Sequence, residues 1–118
     1  MIGFTRSELW DIVGWILDEE DKIHHRLRRG KAVDVFRHEC IKTMKEKIAV
    51  HTLRAPKSQY SDETSIMLEF SQEELHFIME KAQYHADLTV RRMFDLGDGE
   101  RARSICQKAL RMWTEEVA

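Results

Sequence analysis

The polar pair with the clearest potential for chemistry is Glu20 and His24, four residues apart in a stretch that predicts a helix. Side chains at that spacing are neighbours on a helix and can hydrogen-bond. Both fall on or near the apolar arc of that helix, where an unpaired carboxylate would cost several kcal/mol to bury. We therefore predict a structural pair, with Glu20 bound to His24, Lys47 or an arginine.

A metal or acid–base site is the alternative use of Glu20 and His24. Di-metal proteins build such sites from Glu-x-x-His segments on facing helices. Glu73 and His76 have this spacing, but they project to the polar flank of their predicted helix. With one convincing inward carboxylate, the sequence predicts no metal site and no cofactor, and it leaves a metal-dependent all-α hydrolase using Glu20 and His24 as the first alternative function.

Two other patterns that could carry chemistry are weak. The acidic run from Asp18 to Asp21 could bind magnesium, but it spreads over the outer face of the helix and no matching acidic pair follows. Cys40 and Cys106 are predicted on buried helix stripes, where a thiol behaves as a small apolar group. No Gly-x-Ser-x-Gly nucleophile motif is present.

Cations close the first predicted helix, and we call Arg26, Arg28, Arg29 and Lys31 the basic patch. Positive charge is favourable at a helix C-terminus, which explains part of this pattern. Nucleic-acid binding is the second alternative function, but no phosphate-binding loop or zinc finger supports it, and the formal net charge of −2 argues against it.

The element around which the chain is organised is a helix predicted over 71–96. Ser71 and Glu74 form a capping box, and Phe70 and Leu75 occupy the positions of a hydrophobic staple. Gly97 is predicted to end this helix, and the following aspartate to cap the next one.

The 71–96 helix has two apolar stripes. The longer one runs from Leu75 to Leu96, with small residues in its middle that would let another helix approach. The second stripe lies opposite and contains Phe77, Tyr84 and Leu88, with the stem of Lys81 alongside. Two apolar faces predict either a helix packed on both sides in a bundle or one helix face that binds a partner.

The first helix is predicted over about 5–29, with a capping box formed by Thr5 and Glu8 and an end at Gly30. Trp10 and Leu17 are predicted to widen its buried arc. Trp15 falls off that arc toward the polar side, which makes it a candidate interface residue.

The remaining elements complete an all-α, four-helix bundle-like domain. A helix over 32–54 has a predicted buried stripe that includes Phe36, and a last helix covers 99–117. The segment 54–63, with Pro56, is a linker between two helical pairs. The segment 64–70 alternates as a half-buried strand does, and we predict that it is extended and packed on the bundle, with a short two-stranded element as the alternative. No internal repeat is apparent.

Composition agrees with one helical domain spanning 1–118. The chain has 118 residues, of which 42% are hydrophobic and 34% charged, and a single proline and five glycines do not suit a turn-rich β fold. No stretch approaches the ~20 apolar residues of a membrane span, and no signal-peptide pattern is present, so we predict a cytoplasmic protein without a membrane partner.

These patterns favour a non-enzymatic helical interaction protein, such as a regulator, adaptor or inhibitor. The reasons are the second stripe on the central helix and the lack of a convergent catalytic set. The partner is a protein of unknown identity, and a homodimer is the simplest use of spare apolar surface. The predicted interface consists of Phe77, Tyr84, Leu88, Lys81 and Trp15.

Overall fold

In the described part of the chain, the protein folds as four helices packed together with two very short strands. The structure is a computed structural model that describes the backbone of residues 3–54, 65–92 and 96–117 and the side chains of residues 3–50, 66–87 and 99–115. In chain order the elements are β1 (Phe4–Thr5), α1 (Arg6–Arg28), α2 (Val35–Arg54), β2 (Ser65–Ile66), α3 (Gln72–Arg92) and α4 (Leu96–Val117). The predicted all-α bundle-like class is confirmed. Apart from Arg54, which ends α2, the predicted linker lies outside the described residues.

The two strands form the short two-stranded element that was the alternative for the 64–70 segment. They pair antiparallel, with Phe4 opposite Ile66 and Thr5 opposite Ser65. Gly3 lies close against β2, because a Cβ at this position would be 2.9 Å from the carbonyl oxygen of Ile66. The strands thus join the chain ahead of α1 to the chain ahead of α3.

The ends of α1 follow the predicted local signals. The Glu8 amide donates to the Thr5 hydroxyl at 3.2 Å, and the Thr5 amide donates to the Glu8 carboxylate at 2.8 Å. After the last helical residue, Gly30 adopts a φ of +67°, and the Lys31 amide bonds the Arg26 carbonyl at 2.9 Å. This left-handed glycine ends the helix as predicted.

Three predicted helix boundaries are wrong: the starts of the second and fourth helices, and the end of the third, which is at Arg92 rather than at residue 96. The second helix begins at Val35 rather than at residue 32, because the Asp34 carboxylate accepts from the Arg37 amide at 3.1 Å and caps the helix there. The fourth helix begins at Leu96, so Gly97 lies inside its first turn and does not end α3. A glycine in the first turn lowers helix stability little, because the amide groups of that turn have no hydrogen-bond partner within the helix. Residues 93–95, between the two helices, are outside the described part.

The core draws on all four helices and both strands. Ala82 and Ala86 on α3 and Ala102 and Ala109 on α4 are buried, which lets these two helices pack closely along their length. The large apolar side chains that are almost fully buried are Phe4, Leu9, Ile12, Ile16, Ile41, Met44, Ile48, Leu75, Ile78 and Ile105.

Two predicted buried faces differ from the observed ones. Phe36 is 89% exposed, because Arg37 takes the inward position at the start of α2, and Ile41, predicted at the margin, is fully buried. On α1, Trp10 and Leu17 are about half-exposed, since α2 covers only part of the arc on which they were predicted.

Glu8 does more than close the α1 capping box. Its side chain is almost fully buried, and it accepts from the Lys108 ammonium at 2.5 Å and from the Ser104 hydroxyl at 2.7 Å, both on α4. The capping carboxylate of α1 therefore also attaches that helix to α4.

Glu74 repeats this arrangement in the second half of the chain. The Ser71 amide donates to it at 2.8 Å, which closes the predicted capping box of α3. The buried Glu74 also accepts from the Lys47 ammonium at 2.5 Å and from the Thr43 hydroxyl at 3.1 Å, both on α2. The serine or threonine precedes the lysine by four residues in α2 and in α4 alike.

The two halves of the chain thus share one arrangement of strand, capped helix and second helix. The Phe4 and Phe70 rings, which precede the two caps, meet edge to face with centroids 5.9 Å apart. The capping glutamate of each half binds a lysine on the second helix of the other half, so these ion pairs join α1 to α4 and α3 to α2. The interpretation that the chain has no internal repeat misses this structural one.

Candidate functional site

The predicted interface on α3 is largely inside the protein. Phe77 is 3% exposed, and the Arg37 guanidinium lies 5.2 Å from the centre of its ring. The Lys81 ammonium is bound to Glu19 at 3.0 Å. Tyr84 remains 59% exposed, and the side chain of Leu88 is outside the described residues. Of the two interpretations of the second stripe, packing on both sides accounts for Phe77 and Lys81.

The prediction that Trp15 faces solvent is wrong. Trp15 is 7% exposed, and its ring stacks on the His85 ring of α3 with centroids 5.2 Å apart and planes 11° apart. Because α3 lies against this flank of α1, the inward arc is wider than the apolar periodicity indicated. Burial lowers the pKa of His85, which keeps the stacked imidazole neutral at neutral pH.

Glu20 and His24 do not come together as a site. Glu20 is partly exposed and accepts from the Lys45 ammonium at 3.1 Å, so the pairing is structural but its partner differs from those predicted. His24 is exposed, and its ring lies 6.5 Å from that of His38. Among the described residues, no three His, Cys, Asp or Glu side chains group as metal ligands would.

Glu19 forms the central charged contact, although it was predicted on a solvated face. Its carboxylate accepts from the Arg37 guanidinium of α2 at 2.7 Å and from the Lys81 ammonium of α3 at 3.0 Å. Arg37 also bonds Glu80 at 3.2 Å. Burial alone would raise the pKa of Glu19, but the hydrogen bonds from Lys81 and Arg37 hold it below its ordinary value. This network joins three helices and is structural.

The basic patch faces solvent. All four of its residues are exposed, and no ion pair joins any of them to another residue in the described part of the chain. This accumulation of positive charge is what a helix C-terminus favours.

An apolar groove lies between α1 and α2 on the outside of the bundle, with a volume of about 280 Å³. Leu9 and Ile48 form its buried floor, while Trp10 and Leu17 stand half-exposed along it. We call this surface the α1–α2 groove; its lining residues are Arg6, Leu9, Trp10, Val13, Leu17, Lys45, Ile48 and Ala49.

The groove exists because the two halves of the chain pack their helices differently. Small residues such as Ala82 and Ala109 bring α3 and α4 together, whereas α1 and α2 present branched side chains such as Ile16 and Ile41 and make a less extensive contact. The contact between α3 and α4, which we call the α3–α4 seam, is therefore closed, whereas the α1–α2 seam between the first two helices remains partly open.

The sequence contained the signal for this groove, but the signal was assigned to the core. Trp10, Val13 and Leu17 follow helical spacing, and such an arc can be buried or can line a surface groove. Only the position of α2 decides between the two.

Comparisons with protein-family models, with curated proteins and with solved structures find no match for this chain. None of the described helices has the length and apolarity needed to cross a membrane.

Proposed function

We propose that this protein is a small helical interaction protein that binds a partner helix in the α1–α2 groove. The observation that carries the proposal is the half-exposed pair Trp10 and Leu17 above the apolar floor of Leu9 and Ile48. A tryptophan beside an apolar pocket is typical of the residues that dominate binding energy in interfaces. This surface replaces the predicted interface, whose members Phe77, Lys81 and Trp15 are engaged inside the bundle.

The dimensions and charge of the groove favour a short amphipathic helix with acidic residues. From Arg6 to Leu17 the groove runs about 16 Å along α1, the length of three helical turns. Its polar lining residues are the cations Arg6 and Lys45, and none of the described residues that line it is acidic. Lys45 is bound to Glu20, whereas Arg6 has no ion pair among the described residues. A carboxylate on the partner helix would complement Arg6.

The metal-dependent hydrolase has less support. Glu20 is bound to Lys45, and His24 is exposed and makes no hydrogen bond to Glu20 among the described contacts. The basic patch, which carries the nucleic-acid alternative, has an explanation in helix electrostatics that needs no ligand.

Site-specific photo-cross-linking tests the proposal. We expect a photoreactive phenylalanine analogue in place of Trp10 to cross-link one partner in the native host, and the same analogue in place of Leu110 to cross-link none. Leu110 is the matched control, because it is a helix residue with 54% exposure outside the groove.

Matched substitutions then measure the energetics. Leu17→Asp is expected to weaken binding of the captured partner by about 30-fold or more, equivalent to about 2 kcal/mol, while Leu110→Asp leaves it unchanged. Equal cross-linking from both positions would show that the groove is not the binding surface. A cross-linked product made of two copies of this chain would overturn the acidic helix as the occupant and support the predicted homodimer.

A further inference from the structure

A second cavity lies where the starts of α2 and α3 meet the last turns of α4, and it shares no residue with the α1–α2 groove. Its volume of about 360 Å³ is within the range of small-molecule sites. The residues of its wall that bear on a ligand are Asp34, Phe36, Arg37, Glu73, Phe77 and Trp113.

Aromatic side chains form much of the wall of this cavity. Phe77 is buried, and Arg37 and Lys81 lie over its ring. Phe36 is 89% exposed, so the bundle does not depend on its burial, and Trp113 is partly exposed. Phe36 and Trp113 are therefore the aromatic side chains of the wall that keep accessible surface.

The balance of charge around the cavity is negative. Asp34 and Glu73 contribute two carboxylates, whereas the two helix N-termini contribute about half a positive charge each. The Arg37 guanidinium is bound by both Glu19 and Glu80, so its charge is already compensated. Two full negative charges exceed the two half charges, which favours a cation over an anion at this cavity.

We propose that this cavity binds an organic cation bearing a methylated ammonium group, held between Phe36 and Trp113 and attracted by Asp34 and Glu73. A cation over an aromatic face is stabilised by the electrons of the ring, and a methylated ammonium is easier to desolvate than a lysine. The same chemistry occurs in a free quaternary ammonium compound and in a methylated lysine of a peptide.

Titration of the protein at pH 8 tests the site. The probes are choline and its uncharged isostere 3,3-dimethylbutan-1-ol, followed by NMR of the three tryptophan indole N–H groups. We expect choline to shift the Trp113 signal and leave Trp10 and Trp15 unchanged, with at least tenfold weaker binding of the neutral isostere. Trimethyllysine and unmodified lysine peptides then distinguish a peptide ligand from a free compound.

Substitutions at the exposed wall complete the test. Phe36→Ala is expected to weaken choline binding about fivefold to thirtyfold, because one aromatic face is lost. Val35→Ala is the matched control, since Val35 is an exposed neighbour that does not line the cavity. The proposal is overturned if choline and the neutral isostere bind equally, if neither binds, or if Phe36→Ala and Val35→Ala have the same effect.

Discussion

Glu8 shows how a single carboxylate can serve both a helix end and a helix contact. Burial alone would raise its pKa, but hydrogen bonds from Lys108, from the Thr5 backbone and from Ser104 hold the pKa below its ordinary value of 4.5. The carboxylate is therefore ionised at neutral pH although it is almost fully buried. Glu74 has the equivalent partners in the second half of the chain: the Lys47 ammonium, the Thr43 hydroxyl and the Ser71 amide.

Glu8→Gln is expected to lower the free energy of unfolding at pH 7 by about 1–3 kcal/mol, because the charged partner of Lys108 is lost while the capping oxygen remains. Because folding lowers the pKa of Glu8, its contribution is full above the ordinary value of 4.5 and is lost as the pH falls through the lowered pKa. Denaturant unfolding between pH 7 and pH 3 measures both effects.

The control for this prediction is Glu115→Gln, which removes an exposed carboxylate from the same protein. It is expected to leave the stability within about 0.5 kcal/mol of the parent. If Glu8→Gln lost as much stability on acidification as the parent protein, the ion pair between Glu8 and Lys108 would not be the source of the pH-dependent stability.

At the scale of elements, short local signals define the starts of α1 and α3. In each, a hydroxyl residue and a glutamate three residues later close the first turn. The strands ahead of these caps pair with each other, which fixes where the two helices enter the bundle. This contact leaves no space at Gly3.

Gly3→Ala is expected to destabilise the protein by about 1–3 kcal/mol, because the new methyl group meets backbone atoms that move only if the strands separate.

Gly14→Ala is the contrasting variant, for which the opposite effect on stability is expected. Apart from the backbone of α1 itself and the chain neighbours, no atom lies within 4 Å of a Cβ at Gly14, which is an exposed position inside α1, so alanine is expected to stabilise by about 0.5–1 kcal/mol. Thermal and denaturant unfolding measure both changes. If both variants shifted the stability in the same direction, crowding against β2 would not be the reason that position 3 requires glycine.

At the scale of the molecule, the two halves of the chain have the same arrangement of strand and two helices, but α3 and α4 pack more tightly than α1 and α2. The α3–α4 seam is closed by alanines, whereas the α1–α2 seam leaves an apolar groove. We proposed this groove as the binding surface, and the difference in packing can be tested without any ligand.

Ala82→Leu is expected to lower the free energy of unfolding by about 1–3 kcal/mol, because Ala82 is fully buried in the closed seam and larger side chains overpack it. Ala49→Leu adds the same atoms to the open groove and is expected to cost no more than about 0.5 kcal/mol. Equal losses in denaturant unfolding would mean that the groove is as tightly packed as the α3–α4 seam.

The candidate site could be predicted only in part. The sequence indicated a helical protein with spare apolar surface, but it placed that surface at Phe77 and Trp15, which are buried, and assigned Trp10 and Leu17 to the core. Amphipathic periodicity identifies an apolar face and carries no information about which helix covers it.

The sequence by itself determined the helical class, the caps at Thr5 and Ser71 and the end of α1 at Gly30, because these depend on contacts within a few residues. Only the tertiary structure decided which polar side chains are inside and which apolar ones are outside. The burial of Glu8 depends on a lysine 100 residues away in the chain. The exposure of Trp10 likewise depends on how far α2 lies from α1. Neither separation is encoded in local spacing.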